Sequence, residues 1–497
     1  MSPWIWLLPL LSLLHQAQTP DPAKPPNFVF ILADDLGWGD LGCYGHPYHR
    51  TPALDGLAAE GMRFTQAYAN APNCAPSRAC LQTGLYGPRH GIYTVGSSAR
   101  GKSQNRRLIP TPNRTELPAQ ALTMAEFLAR HGYTCASIGK WHLGPDPNLQ
   151  GYRHSVAGYK AGHPPKGYFS PYHNPKLEDG PKGEYLTDRL AQEAIDFLEQ
   201  QQDNPFFLYL PFYSVHTPIQ APKDRKQSYL ALDPKPDRFH PTYAAMVSSL
   251  DQAVATVLSG LDRLGLRENT VVLFFSDNGG HGKFAHHGPL RGSKGMLYEG
   301  GLRVPFLIRW PGEIKPGTVC HEPILGTDMF PSLAELAGIA KTDWPALDGR
   351  SLVNQFRQDP ERRAIRPLFW HFPAYLEAYA GMDGFWRTTP AAAIRKGRWK
   401  LIEFFEDGRL ELYDLTRDPG EQQNLAAQNP EQVAQLLQEM RKWREATGAP
   451  VPAERNPDYR GEEEASEGSA RKDSNRQSKA PSSSSAAGGP STASKKG

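Results

Sequence analysis

Cysteine is scarce in this chain, with five among 497 residues, and none are spaced as Cys-x-x-Cys or set against histidines as zinc ligands are. That argues against a disulfide scaffold and against a structural zinc site. Excess charge of one sign is also missing. Lys and Arg number 55 against 52 Asp and Glu, a net charge of +3, which gives no case for nucleic acid as a partner. Internal repeats are absent. After the N-terminus no stretch reads as long and apolar enough for a membrane span. Residues 4–14 form a short apolar run with the length of a signal-peptide core, so residues 1–18 are expected to be a cleaved signal peptide, with an uncleaved anchor as the alternative. The expected location is therefore exported: periplasmic, secreted or in a lysosome-like compartment. Beyond Tyr459 there is no aromatic residue and no Leu, Ile, Val or Met. Residues 451–497 are accordingly expected to be a disordered tail.

What the chain does contain is an alternation of strand and helix signals. Apolar, β-branched and aromatic runs at 27–32, 62–69, 133–138, 206–210, 270–275 and 304–308 read as buried strands. Helical patterns fall at 51–60, 123–130, 184–201, 243–264 and 328–337. Residues 144–183, rich in Gly, Pro, His and Tyr, read as a long loop. This alternation predicts an α/β fold, a large mostly parallel sheet sandwiched by helices, over residues 24–355. Residues 393–404 and 409–413 read as paired strands and 431–443 as a helix, predicting a smaller α+β C-terminal domain over 356–450.

Ligand sites in such sheets lie beyond the strand C-termini. Asp34 and Asp35 follow one strand, Lys140 and His142 another, His216 a third, and Asp277 and Asn278 a fourth. Two acidic pairs converging there would offer oxygen ligands suited to a hard cation such as Ca²⁺ or Mg²⁺. Taken singly, each has a plainer reading. Asp-Asp and Asp-Asn-Gly-Gly make turns or caps, a lone Lys140 is solvated, and a lone His216 is structural. Lys140 and His142 are two apart and would project to one side of an extended segment. Cys74 precedes Pro76, which suits the first turn of a helix that Gly84 ends; Cys74 would lie just before that helix N-terminus. A lone cysteine is ordinarily a core residue.

The pentapeptide Cys74-Ala-Pro-Ser-Arg78, with Leu81-Gln-Thr-Gly84 after it, resembles the first signature of the type I sulfatases, which share the alkaline phosphatase-like fold. Gly139-Lys-Trp-His-Leu-Gly144 resembles the second. The His216-Thr-Pro218 and Gly292-Ser-Lys294 segments are similar to further active-site segments of that family, and the two acidic pairs to its metal motifs. The resemblance spans about residues 27–418. It implies that Cys74 is oxidised by a formylglycine-generating enzyme to formylglycine, whose hydrate attacks sulfur. It further implies Asp34, Asp35, Asp277, Asn278 and modified Cys74 around Ca²⁺ (Mg²⁺ in its place is possible). Arg78 would hold the hydrate, Lys140 and Lys294 the sulfate oxygens, His142 the formylglycine hydroxyls, and His216 would protonate the leaving oxygen. The implied substrate is a sulfated carbohydrate or an aryl sulfate. Residues 158–165 and 178–188 resemble bacterial members acting on sulfated carbohydrates. Two alternatives stand beside this: a phosphodiester or phosphonate ester hydrolase of the same superfamily, and a catalytically dead secreted glycan-binding protein.

Overall fold

A computed structural model describes residues 24–201, 204–232, 239–358 and 365–461. The expected signal at 1–18 and the expected tail from 462 onward lie outside the described residues. In chain order the large sheet is built from β1 (Asn27–Ala33), β2 (Met62–Tyr68), β3 (Thr134–Ile138), β4 (His154–Val156), β5 (Phe206–Pro211), β6 (Thr270–Ser276), β7 (Arg303–Arg309), β8 (Thr318–Cys320) and β9 (Ile324–Leu325). They lie in the order β4-β3-β5-β1-β6-β7-β2-β8, with β9 also paired to β2. All pairs are parallel except those of β7, which runs antiparallel to both β6 and β2.

Central strand β1 explains the layering. All seven of its residues are buried. Successive side chains alternate between faces, so Val29, Ile31 and Ala33 enter one apolar cluster while Phe28, Phe30 and Leu32 enter the other. The first cluster is completed by helices Pro52–Glu60, Leu186–Gln200 and Pro241–Arg263, the second by Cys74–Thr83, Met124–Arg130 and Met329–Leu336. The Pro241–Arg263 helix corrects one expectation. By length and composition it could cross a membrane. Its apolar residues, among them Met246, Val247, Leu250 and Val257, are instead buried against the sheet.

Beyond the large sheet, β10 (Pro367–Phe372), β11 (Leu376–Glu377), β12 (Trp386–Thr388), β13 (Ala391–Lys396), β14 (Trp399–Phe404) and β15 (Leu410–Asp414) follow. β10-β13-β14-β15 form an antiparallel sheet covered by the Pro430–Thr447 helix, and β11 pairs β12. The expected single strand over 393–404 is two strands, β13 and β14. Gly397, at φ 60°, turns the chain back between them. The loop at 144–183 contains β4, and Lys223–Leu232 is a helix without a clear apolar stripe to announce it. Residues 451–461, expected in the disordered tail, are placed: Asn456 donates to the carbonyls of Ser103 and Arg106, and its N–H to that of Arg107.

Candidate active site

Because β1, β3, β5 and β6 are parallel, their C-terminal ends share one edge of the sheet. The chain continues from them into Asp34-Asp35, Lys140, His216 and Asp277-Asn278 respectively. Backbone bonds stitch these exits together. Asp34 N–H donates to the Ser214 carbonyl at 2.9 Å, Val215 N–H to the Asp34 carbonyl at 2.7 Å, and Asp277 N–H to the Ala33 carbonyl at 3.1 Å. The Cys74–Thr83 helix enters at the same edge with every residue buried. Cys74 is its first residue rather than the residue before it. Asn73 is the cap, its side chain accepting from the Cys74 N–H at 3.0 Å and donating to Thr94 Oγ1 at 3.1 Å. Gly84, at φ 67°, closes the helix.

The Cys74 thiol faces Asp34 Oδ1 at 3.6 Å and Asp35 Oδ1 at 3.8 Å. Each carboxylate holds its own lysine: Lys140 Nζ donates to Asp34 Oδ2 at 2.6 Å, and Lys294 Nζ to Asp35 Oδ2 at 2.7 Å. Arg78 is wholly buried and forks, with Nε on Asp277 Oδ2 at 2.8 Å and Nη1 on the Lys140 carbonyl at 2.7 Å. Asp277 in turn accepts from the Asp35 N–H at 3.2 Å. His216 Nδ1 meets the Thr217 carbonyl at 2.7 Å, leaving Nε2 toward Asp35 Oδ2 at 3.7 Å.

These contacts set the charges. Burial pushes Asp34 well above the usual carboxylate range, and the Lys140 ammonium opposes this without overturning it. Burial also works against Asp35, but Lys294, His216 and Lys140 together outweigh it and hold that carboxyl below its usual range. Lys294 is raised, because Asp35, Cys74 and Asp34 exceed its own burial penalty. His142 and His216 are both pushed down, first by burial and then by the surrounding cations.

His142 does not follow the extended geometry expected of it. Its φ is 64°, a left-handed conformation rare outside glycine, so it does not simply share a side with Lys140. Its N–H donates to the Tyr159 carbonyl at 2.9 Å, and Gly162 packs flat against its ring. Asp35 is left-handed too, at φ 61°.

Asp34, Asp35, Cys74 and His216 each offer a ligand atom within 4.8 Å of the others. Asn278 Nδ2 donates to Asp35 Oδ1 at 2.8 Å, while its Oδ1 is buried with no hydrogen-bond partner. Paired carboxylates and an unsatisfied buried amide oxygen fit a hard divalent cation, and the lysine ammoniums already lie on those carboxylates. Asp277 stands one step out, clamped by Arg78.

The family description Sulfatase matches residues 26–339, and N-sulphoglucosamine sulphohydrolase, C-terminal, matches 290–446. The chain belongs to the sulfatase family. It is a sulfuric ester hydrolase. The sulfatase is 34% identical over 524 residues to a Sulfatase of Formosa agariphila, covering 88% of this chain and 92% of that one. It is 35% identical over 394 residues to N-acetylgalactosamine-6-sulfatase of Rattus norvegicus, covering 73% and 71%. The crystal structure of Ps i-CgsB in complex with k-i-k-neocarrahexaose superposes with a TM-score of 0.71 at 28% identity, covering 92% of this chain and 100% of that one.

Sequence reasoning missed one wall of the sulfatase's site. Tyr379, between β11 and β12, donates its hydroxyl to the Lys294 carbonyl at 3.2 Å, and its ring lies 4.4 Å from that of His281. Arg387, in β12, lies over the Tyr379 ring, 4.1 Å from its centre. Residues so distant from the acidic pairs in sequence carry no local signal of this contact. Arg303, left without a role from sequence, is structural: it donates to the Thr65 carbonyl at 2.7 Å and lies over Trp38.

Proposed function

We propose that the sulfatase removes sulfate from a sulfated carbohydrate, using formylglycine made from Cys74 and a divalent cation, Ca²⁺ or Mg²⁺. The observation that carries this reading is the Cys74 side chain, 1% exposed, set between the Asp34 and Asp35 carboxylates with a lysine on each. Similarity to N-acetylgalactosamine-6-sulfatase and to a structure holding a neocarrahexaose supports a carbohydrate substrate. Asp34, Asp35, Asp277 and Asn278 would hold the cation, with the modified residue 74 completing its shell.

Once in place, the cation and the formylglycine hydrate supply a Lewis acid and an oxygen nucleophile. The chain's own groups do the rest. With Asp34 and Asp35 holding a cation, Lys140 and Lys294 would be free to serve the sulfate oxygens, where charge is spread in the transition state. Arg78 holds the Asp277 carboxylate and the Lys140 backbone in register, so residue 74 and the metal ligands keep their spacing. His142 would sit against the formylglycine hydroxyls. His216, with Nδ1–H fixed on the Thr217 carbonyl, presents Nε2, which as the imidazolium would pass its proton to the leaving oxygen.

The proposal extends to maturation and location: residues 1–18 act as an export signal, a formylglycine-generating enzyme modifies Cys74, and the product is periplasmic, secreted or held in a lysosome-like compartment. It also divides the chain into a catalytic part at 24–355 and a C-terminal part at 356–450, with residues 451–461 returning to the Ser103–Arg107 segment. Mass spectrometry of the Cys74 peptide from protein made in its native host tests the core of it. Formylglycine is expected; unmodified cysteine in active enzyme would sink the reading, as would a Cys74→Ala variant with full hydrolysis.

A further inference from the structure

The His281–Tyr379–Arg387 wall holds a cation that the sulfate chemistry does not use. Lys140, Lys294 and Arg78 each sit on a carboxylate. Arg387 sits on none: among the described residues it has no ion pair, and its Nε is buried without a hydrogen-bond partner. What fixes it is shape. The guanidinium lies over the Tyr379 ring, and it passes so close to Gly295 that a Cβ there would stand 2.7 Å from Nε. Gly295 is the residue after Lys294, so this cation is held on the wall beside the sulfate lysine. Tyr379 bridges the two, with its hydroxyl on the Lys294 carbonyl. The charges are close enough to be felt across the site: Asp35, Lys294 and Arg387 all act on His281, whose pKa is brought down to about 4, chiefly by burial.

A planar guanidinium presses one face on an aromatic ring and keeps its edge N–H groups for a partner in the ring plane. A substrate carrying only the scissile sulfate gives that edge no anionic partner. We propose that Arg387 receives a second anionic group of the substrate, a carboxylate or a further sulfate on the same or the adjoining sugar, and thereby selects doubly charged glycans over singly charged ones. Tyr379 and Gly295 are positioning residues that hold the guanidinium at its angle. This rests on the carbohydrate sulfatase reading above and adds the charge pattern of the substrate.

The test compares wild type, Arg387→Gln and Arg387→Lys on three substrates: a neutral sugar bearing one sulfate, the same sugar bearing two, and a monosulfated disaccharide containing a uronate. A charge-assisted contact in a partly buried site corresponds to about 10- to 100-fold in binding. Arg387→Gln is expected to lose that much in kcat/KM, carried by KM, on whichever doubly charged substrate is native, and several-fold less on the monosulfated sugar. The substrate that shows the selective loss distinguishes sulfate from carboxylate. Arg387→Lys, which keeps the charge but not the fork, is expected to recover part of it. Equal losses on all three substrates would overturn the assignment and leave Arg387 a structural residue. Should Arg387→Gln melt well below wild type, the salt dependence of the wild type decides instead. Its KM for the doubly charged substrate must rise more steeply with ionic strength than its KM for the monosulfated sugar, and parallel slopes refute the proposal. A wild type that hydrolyses none of the three sulfate esters would refute the carbohydrate reading itself.

Discussion

Arg78 is the residue whose replacement should most clearly separate charge from shape. It is 0% exposed, donates Nε to Asp277 Oδ2 at 2.8 Å and Nη1 to the Lys140 carbonyl at 2.7 Å, and lies 3.9 Å from Asp34 Oδ1. Burial alone would lower its affinity for its proton, but Asp277 and its neighbours more than reverse this, so it stays charged at every accessible pH. Arg78→Met keeps much of the stem volume and removes the charge, stranding Asp277 in the interior. Breaking a buried pair from one side costs about 3–5 kcal/mol. With unfolding entropy of roughly 2 cal/mol/K per residue, a chain of this size shifts its melting temperature by roughly 1 °C per kcal/mol, so a fall of about 3–5 °C is expected. Arg78→Lys keeps the charge but not the fork. It can serve Asp277 or the Lys140 carbonyl, not both, and should lose about 1–3 kcal/mol through the acceptor left bare. Both variants should lose activity, because Lys140 is displaced with its carbonyl. Thermal unfolding followed by circular dichroism, with sulfatase assays on the same preparations, gives the order wild type, Lys, Met. An Arg78→Met protein melting within a degree of wild type would refute the claim that this pair is an interior charge balance.

Gly162 lies against His142, and a Cβ there would stand 2.4 Å from ring Cε1. Gly162→Ala should therefore shift the imidazole and reduce kcat by about 100-fold, as displacements near 1 Å do, with little change in melting temperature because the residue is half-buried in a loop. Unchanged kcat would mean that His142 is not where the chemistry needs it. Asp251 is pushed up to about 6 from 3.8 by burial, although the N–H groups of Leu54 and Ala53 pull the other way. The native state thus holds a proton that the unfolded chain has already lost between about pH 4 and 6, and stability falls as pH rises through that window. Asp251→Asn escapes this, so its stability relative to wild type should improve by about 3 kcal/mol between pH 4 and 7. A pH-independent difference between the two proteins would refute the assignment.

The strand ends and the residues that follow them were legible because a strand buried on both faces writes an unbroken apolar run, as residues 27–32 do, and chemistry begins where the run stops. The Cys74 segment was legible through its motif, though the cap was misplaced by a residue. Asn73, an ordinary cap type, closes the helix start, so Cys74 belongs to the first turn. The split between β13 and β14 was hidden because Arg395 to Trp399 carries a single turn residue, Gly397, and a lone glycine inside a strand pattern reads equally as a bulge. The reversed direction of β7 leaves no trace in composition, since parallel and antiparallel buried strands use the same residues. Arg387 and Tyr379 were illegible for a different reason. Their meaning lies in contacts with Gly295 and the Lys294 carbonyl, and no local pattern encodes a contact across so much intervening chain.

The position of β1 has a consequence in time. Its two neighbours arrive late: Asn27 meets Phe206 across 179 residues and Thr270 across 243. Closing so long a loop is slow relative to local helix formation. On an emerging chain, Cys74 is therefore synthesised well before the strands that bury it to 1% exposure can dock. During that interval the helix segment carrying it has no sheet edge to enter and is open to another protein. Access narrows as β6 brings Asp277 to Arg78 on that helix. Under the proposed maturation, the interval between synthesis of residue 74 and docking of β6 sets how much of the enzyme becomes active, so changes that hasten sheet closure would lower the modified fraction without touching any residue of the site.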